Sequence, residues 1–122
     1  MVRSYRELEA WQQAVRFAQL IYHHTRQFPQ DERFGLTNQI RRSAVSVASN
    51  IAEGQGRATT KEFLHYLHIA AASLQECETQ YIIACNLGFL EDSALAELEE
   101  LAGCVGRLIS GLIRSLRKRE QP

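Results

Sequence analysis

Apolar residues recur along the chain at three- and four-residue steps, in four segments separated by proline, glycine and polar clusters. That spacing is the period of an amphipathic helix. In the first segment, predicted over 5–28, Leu8, Trp11, Val15, Ala18 and Tyr22 make one stripe. Ser4 and Glu7 stand at the S-x-x-E spacing of a capping box before it. Phe28 precedes Pro29 and ends it, because the residue before proline is pushed out of the helical region. The second segment, over 36–53, carries Ile40, Ala44, Val47 and Ile51 and stops at Gly54 and Gly56. The third, over 60–87, opens on a second capping box, Thr59 with Glu62. Its seam is Leu64, Leu67, Ala71, Leu74, Glu78, Tyr81 and Cys85, and Gly88 follows as a left-handed cap. The fourth, over 93–118, repeats Leu98, Leu101, Val105, Leu108, Leu112 and Leu116 after a cap at Asp92 or Ser93. With no strand signal of similar strength, the pattern predicts an all-α fold: a single-domain, up-down-up-down antiparallel four-helix bundle over 1–122.

Two stretches depart from an ordinary surface helix. Residues 43–52 read SAVSVASNIA and carry no charge, so Ser46, Ser49 and Asn50 occupy a face where charges are normal. Gly103, Gly106 and Ser110 form a small-residue stripe on the fourth helix. Glycine inside a helix costs about 1 kcal/mol against alanine, and a close helix approach is the usual compensation. These six residues are the expected oligomer interface, in which another copy covers what one short chain cannot.

Composition narrows the class. The chain has 122 residues, 45% hydrophobic and 23% charged, which fits one globular domain and excludes a disordered or fibrous chain. Cys77, Cys85 and Cys104 are an odd number without CxxC spacing, as expected of free thiols in a reducing compartment. Residues 1–10 carry charges and no apolar core, so no export signal is expected. The longest uncharged stretches, 63–75 and 79–90, fall short of the about 18 residues a membrane span needs. A cytoplasmic protein without a membrane partner is the expectation.

Net charge is zero, yet charge is segregated. Residues 1–61 hold nine Lys or Arg against five acids, a net +4. Residues 62–106 hold eight acids and no Lys or Arg, and residues 107–122 return to +4. Two readings follow. Basic helices can pair with acidic ones, within the monomer or between copies. Alternatively some arginines stay free for phosphate.

Candidate chemistry is sparse. Glu62 and His65 have the E-x-x-H spacing of di-iron bundles, but no second such pair exists. His68 lies one turn beyond His65, and His23 and His24 point to different faces. Ordinary surface histidines are the expectation, with no metal, cofactor or small-molecule substrate. Serines cluster in a helix without a nucleophile elbow and no histidine lies in a loop, so no catalytic residue and no enzyme activity are expected. Residues 54–61, GQGRATTK, lead glycines, Arg57, hydroxyls and Lys61 into a helix N-terminus. Such an end can hold an anion, although a plain capped turn also accounts for it. The doublet Arg41 and Arg42 can contact backbone phosphate or pair with Glu53, Glu76 or Glu78. Arg41, Arg42, Arg57 and Lys61 are therefore the nucleic-acid or anion-binding candidates. Trp11 and Tyr22 are core or interface aromatics.

The segments YRELEAWQ (5–12), GLTNQIRR (35–42) and SVASNIAEG (46–54) resemble the bacterial four-helix-bundle family of ribosomal RNA intervening-sequence proteins. Arg57, KEF (61–63) and NLGFL (86–90) continue the likeness over nearly the whole chain, and NIAEG (50–54) is its most specific block. Ala48 stands where relatives often have proline, which implies a straighter helix. The resemblance implies an antiparallel bundle assembling into a ring-like homopentamer. A related branch, the accessory variability determinants of diversity-generating retroelements, binds nucleic acid and a reverse transcriptase and is basic, whereas this chain is neutral. The combined expectation is a non-enzymatic, homo-oligomeric scaffold or accessory protein that associates with RNA or a ribonucleoprotein. The alternatives are a protein-interaction scaffold without a nucleic-acid role, or a metal-binding bundle.

Overall fold

The computed structural model describes residues 4–120. Four helices account for most of them: α1 (Glu9–Thr25), α2 (Leu36–Gln55), α3 (Thr60–Asn86) and α4 (Asp92–Glu120). Among the described residues there is no strand, and the fold is all-α. Each helix packs on its chain neighbour and α4 packs on α1, while α1 and α3 make no close backbone contact.

The core is built from the faces the helices turn inward. On α2 the stripe read from the sequence, Ile40, Ala44, Val47 and Ile51, is fully buried. On α1 the predicted stripe is buried at Leu8 and Ala18, but the buried face extends to one side of it, where Ala10, Ala14, Phe17 and Ile21 fill the core. Trp11 and Val15 are only half-buried, and Tyr22 is exposed. Ala10 and Ala14 stand on the inward side, and the larger Trp11 and Tyr22 are left on the shoulder of the helix. On α3 the buried residues include Leu67, Leu74, Cys77 and Tyr81, and on α4 Leu98, Val105, Ile109 and Ile113.

The helix ends follow local chemistry. Thr59 accepts the Glu62 amide at 3.1 Å and donates to the Glu62 carboxylate at 3.0 Å, which caps α3 as expected. Gly88, at φ +84°, takes the left-handed turn after α3, and the Phe89 amide reaches back to the Ala84 carbonyl at 2.8 Å. The other expected cap differs. Ser4 accepts from the Arg6 amide and starts a 3-10 turn, Tyr5–Glu7, while α1 begins after Leu8 without a side-chain cap. Gly54 does not stop α2 but lies inside it, and Gly56 is the cap. Phe28 and Phe89 meet at 5.7 Å, tying the α1–α2 connection to the α3–α4 connection.

Part of the uncharged face of α2 has a cover within its own chain, so another copy is not needed to cover Ser43 and Ser46. Ser43 donates to Gln80 at 2.7 Å, and Ser46 shares a 2.9 Å hydrogen bond with Ser73. Asn50 donates to the Ser46 carbonyl and hydroxyl. Helix α3 meets α2 with small and polar residues, including Ala70, Ser73 and Gln80, so polar pairs link the two helices.

Candidate functional site

The four candidate cations do not converge. Arg41, half-buried, donates from Nε to the Thr25 hydroxyl at 2.8 Å, and its guanidinium lies 4.6 Å from the centre of the Tyr22 ring. It thus rests on α1 as a cation–π and hydrogen-bonded group. None of Glu53, Glu76 or Glu78 pairs with it among the described residues. Arg42, next along α2, is exposed and has no ion pair among the described residues. Arg57 is held locally by Glu53 at 2.8 Å and by the Tyr66 hydroxyl at 2.7 Å. Its guanidinium also lies over the Tyr66 ring. Lys61 is exposed on the first turn of α3. Residues 54–61 therefore form a capped interhelical turn whose arginine is already engaged.

The interface candidates divide in the same way. Ser46 and Asn50 are bonded within the chain, as above, whereas Ser49 is exposed. Ser49 lines a groove of about 560 Å³ between α1 and α2, with Trp11, Val15, Tyr22, Val45 and Ala52. Gly103, Gly106 and Ser110 line a different groove, between α3 and α4. Gly106 lies against Leu74, at a distance a methyl group would fill without clash.

Glu62 closes the α3 cap, and His65, exposed, stands edge-on to Tyr66. His68 meets Arg117 of α4 at 3.2 Å. Among the described residues no three His, Cys, Asp or Glu side chains are grouped to hold a metal ion. Burial pushes the Cys77 thiol up to about 12, too high for thiolate chemistry near neutral pH. No helix among the described residues is long and apolar enough to cross a membrane.

Charge pairing inside the chain is sparse. His24 bridges α1 to Glu97 of α4 at 2.7 Å, and Arg57 pairs with Glu53. No Lys or Arg of the basic half, 1–61, pairs with an acid of 62–106 among the described residues. The acidic segment shows the consequence. Desolvation, reinforced by Glu99, raises the Glu78 carboxyl above its ordinary range. An acid raised in the folded state costs stability once ionised, so that penalty is absent below the unfolded value of about 4.3 and grows as pH rises through the higher folded value. Glu78→Gln is therefore expected to melt higher than the wild type at pH 7–8, with the gain vanishing near pH 4. Thermal melts across that range measure it, and a pH-independent difference would contradict it.

Sequence reasoning missed the roles of three residues here. Tyr22 and Tyr66 hold arginines, and Phe34 is 85% exposed beside Arg33 in the α1–α2 connection. Phe34 alone had a local signal, an aromatic in the polar run QDERFG at 30–35.

A model of the family described as 23S rRNA-intervening sequence protein matches residues 6–111. The chain is also similar to a crystal structure of a protein with unknown function from the S23 ribosomal protein family of Bacteroides thetaiotaomicron VPI-5482. The two are 18% identical with a TM-score of 0.77, over 85% of this chain and 97% of that one. That likeness carries the four-helix fold. No curated protein matches the chain. With most of its length matched by the family model, the chain belongs to the 23S rRNA-intervening sequence protein family.

Proposed function

We propose that this chain is a non-enzymatic accessory scaffold of the cytoplasm, which self-assembles into a ring-like homo-oligomer and associates with RNA or a ribonucleoprotein. The up-down-up-down course of its helices is supported by the order of contacts. Ser43 meets Gln80 while Ser46 meets Ser73; His24 meets Glu97; His68 meets Arg117 while Cys85 meets Asp92. Self-assembly as a homopentamer is what the family resemblance implies, and large apolar side chains left on the surface support an assembly, among them Tyr22, Val45, Ile83 and Leu87.

The observation that carries the RNA association is Arg42. It is an exposed guanidinium on an otherwise weakly charged helix, with no carboxylate partner among the described residues. Lys61 adds a second exposed cation, and phosphate contact needs only charge and reach. Titration of a labelled structured RNA at two salt concentrations tests it. Two phosphates neutralised give a salt slope near 1.8, so affinity is expected to fall about tenfold between about 50 and 200 mM salt. Arg42→Ala is expected to reduce that slope by about 0.9. Absence of binding at the lower salt contradicts the RNA association. It favours the second reading, a protein-interaction scaffold, which Phe34 supports through its exposure in a connecting turn.

A further inference from the structure

Two largely apolar surfaces lie on oppositely charged parts of the chain. The first is the groove between α1 and α2, where Trp11, Val15, Tyr22 and Val45 stand with small residues of α2. Tyr22 is 43% and Val45 42% exposed, Arg26 lines the groove, and Arg41 lies over Tyr22. The second is a knob at the end of α3. Ile82 and Ile83 are each 44% exposed and Leu87 is 59% exposed, within a stretch, 79–90, that has no charged residue. A helix face normally shows charge to water, so a bare apolar run on one marks a surface that another molecule covers.

The charge pattern identifies the cover. The groove belongs to residues 1–61, net +4, and the knob to residues 62–106, net −8, with Glu76, Glu78, Glu91 and Asp92 flanking the uncharged run. Inside one chain, no Lys or Arg of the first segment meets an acid of the second among the described residues. Among the described residues, the complementarity is therefore unused within one chain. Nor does the knob occupy its own groove, because α1 and α3 make no close backbone contact and both surfaces stay exposed. A second copy offers an apolar knob with an acidic surround to an apolar groove with a basic one.

We propose that the α1–α2 groove receives the Ile82, Ile83 and Leu87 knob of a second copy, in a head-to-tail contact. This rests on the homo-oligomeric reading above and names the surfaces it uses. Different patches meet on the two partners, so each copy keeps a free groove and a free knob, and repetition through a closing rotation gives a ring. Apolar packing holds the centre, and the charged rims steer the approach and fix its direction.

Val45→Glu and Ile83→Glu test this in the full-length protein, read by light-scattering mass, with circular dichroism to verify folding. Either variant alone is expected to run at the mass of a single chain. Mixed in equal amounts they are expected to form a species of two chains and nothing larger, because only the groove of the Ile83→Glu copy and the knob of the Val45→Glu copy remain intact. If either substitution disturbs folding, Ser49→Glu and Leu87→Glu place the same charge in the same two surfaces. An Ile83→Glu protein that keeps the wild-type assembly overturns the contact while leaving self-assembly standing. A mixture that stays at single-chain mass overturns the head-to-tail arrangement. A wild-type protein at single-chain mass overturns the assembly itself and assigns both surfaces to some other partner.

Discussion

Valine in place of Gly54 is expected to destabilise the fold by about 3 kcal/mol, the upper part of the range for overpacking a tight contact. Gly54 is buried near the end of α2, where α2 crosses the first turns of α3. A Cβ placed there would stand 2.8 Å from the Tyr66 Cβ, 2.9 Å from the Phe63 ring and 3.2 Å from the Phe63 carbonyl oxygen. The Cβ and the carbonyl are fixed by the backbone of α3, so relief requires the two helices to move apart. Alanine at the same position makes the same first clash, which outweighs its helix-propensity gain of about 1 kcal/mol. Gly106→Ala should do the opposite. Its nearest neighbour, Leu74 Cδ2, is 3.6 Å from the added Cβ, so the propensity gain is retained and stability should rise by up to about 1 kcal/mol. Urea denaturation of the three variants gives the comparison. A Gly54→Ala protein more stable than the wild type would refute the close approach.

The buried polar pair between α2 and α3 gives the second large effect. Ser43→Ala removes the donor to Gln80 Oε1, and Gln80 is only 7% exposed. A buried acceptor left without its partner costs about 1–3 kcal/mol. Gln80→Leu is expected to cost less, because the one proton of the Ser43 hydroxyl then has its own Ile40 carbonyl, at 3.1 Å, as an alternative acceptor. Removing both partners together leaves an apolar contact and should recover much of the loss. The double-mutant cycle is therefore expected to show coupling of about 1 kcal/mol. Strictly additive losses would mean that the bond contributes nothing between the helices.

How far the fold was legible depended on side-chain size. Helix α2 read correctly because Ile40, Val47 and Ile51 are large, apolar and on one face. Helix α1 read correctly at Leu8 and Ala18 but not across its whole face, because Trp11 and Tyr22 dominate a hydrophobic count while the buried Ala10 and Ala14 scarcely register. Gly54 looks like a stop signal in isolation; only the position of Phe63 and Tyr66 shows that it is a contact. The same limit applies to the polar face of α2. Ser46 meets Ser73 through the register of two helices, which no local spacing encodes. Among the candidate cations, the exposure of Lys61 follows from its place in a first helical turn. The rest of Arg41 on Tyr22 and Thr25 depends on how α1 and α2 cross, and nothing near either residue in the sequence announces it.

The most direct test is the mass of the wild-type protein in solution, measured by light scattering at micromolar concentration and near-physiological salt. Self-assembly predicts a single species at a homopentamer's multiple of the 13.9 kDa chain, stable to dilution. A species at 13.9 kDa under the same conditions would contradict the scaffold and leave the apolar surfaces of α1, α2 and α3 to a different partner.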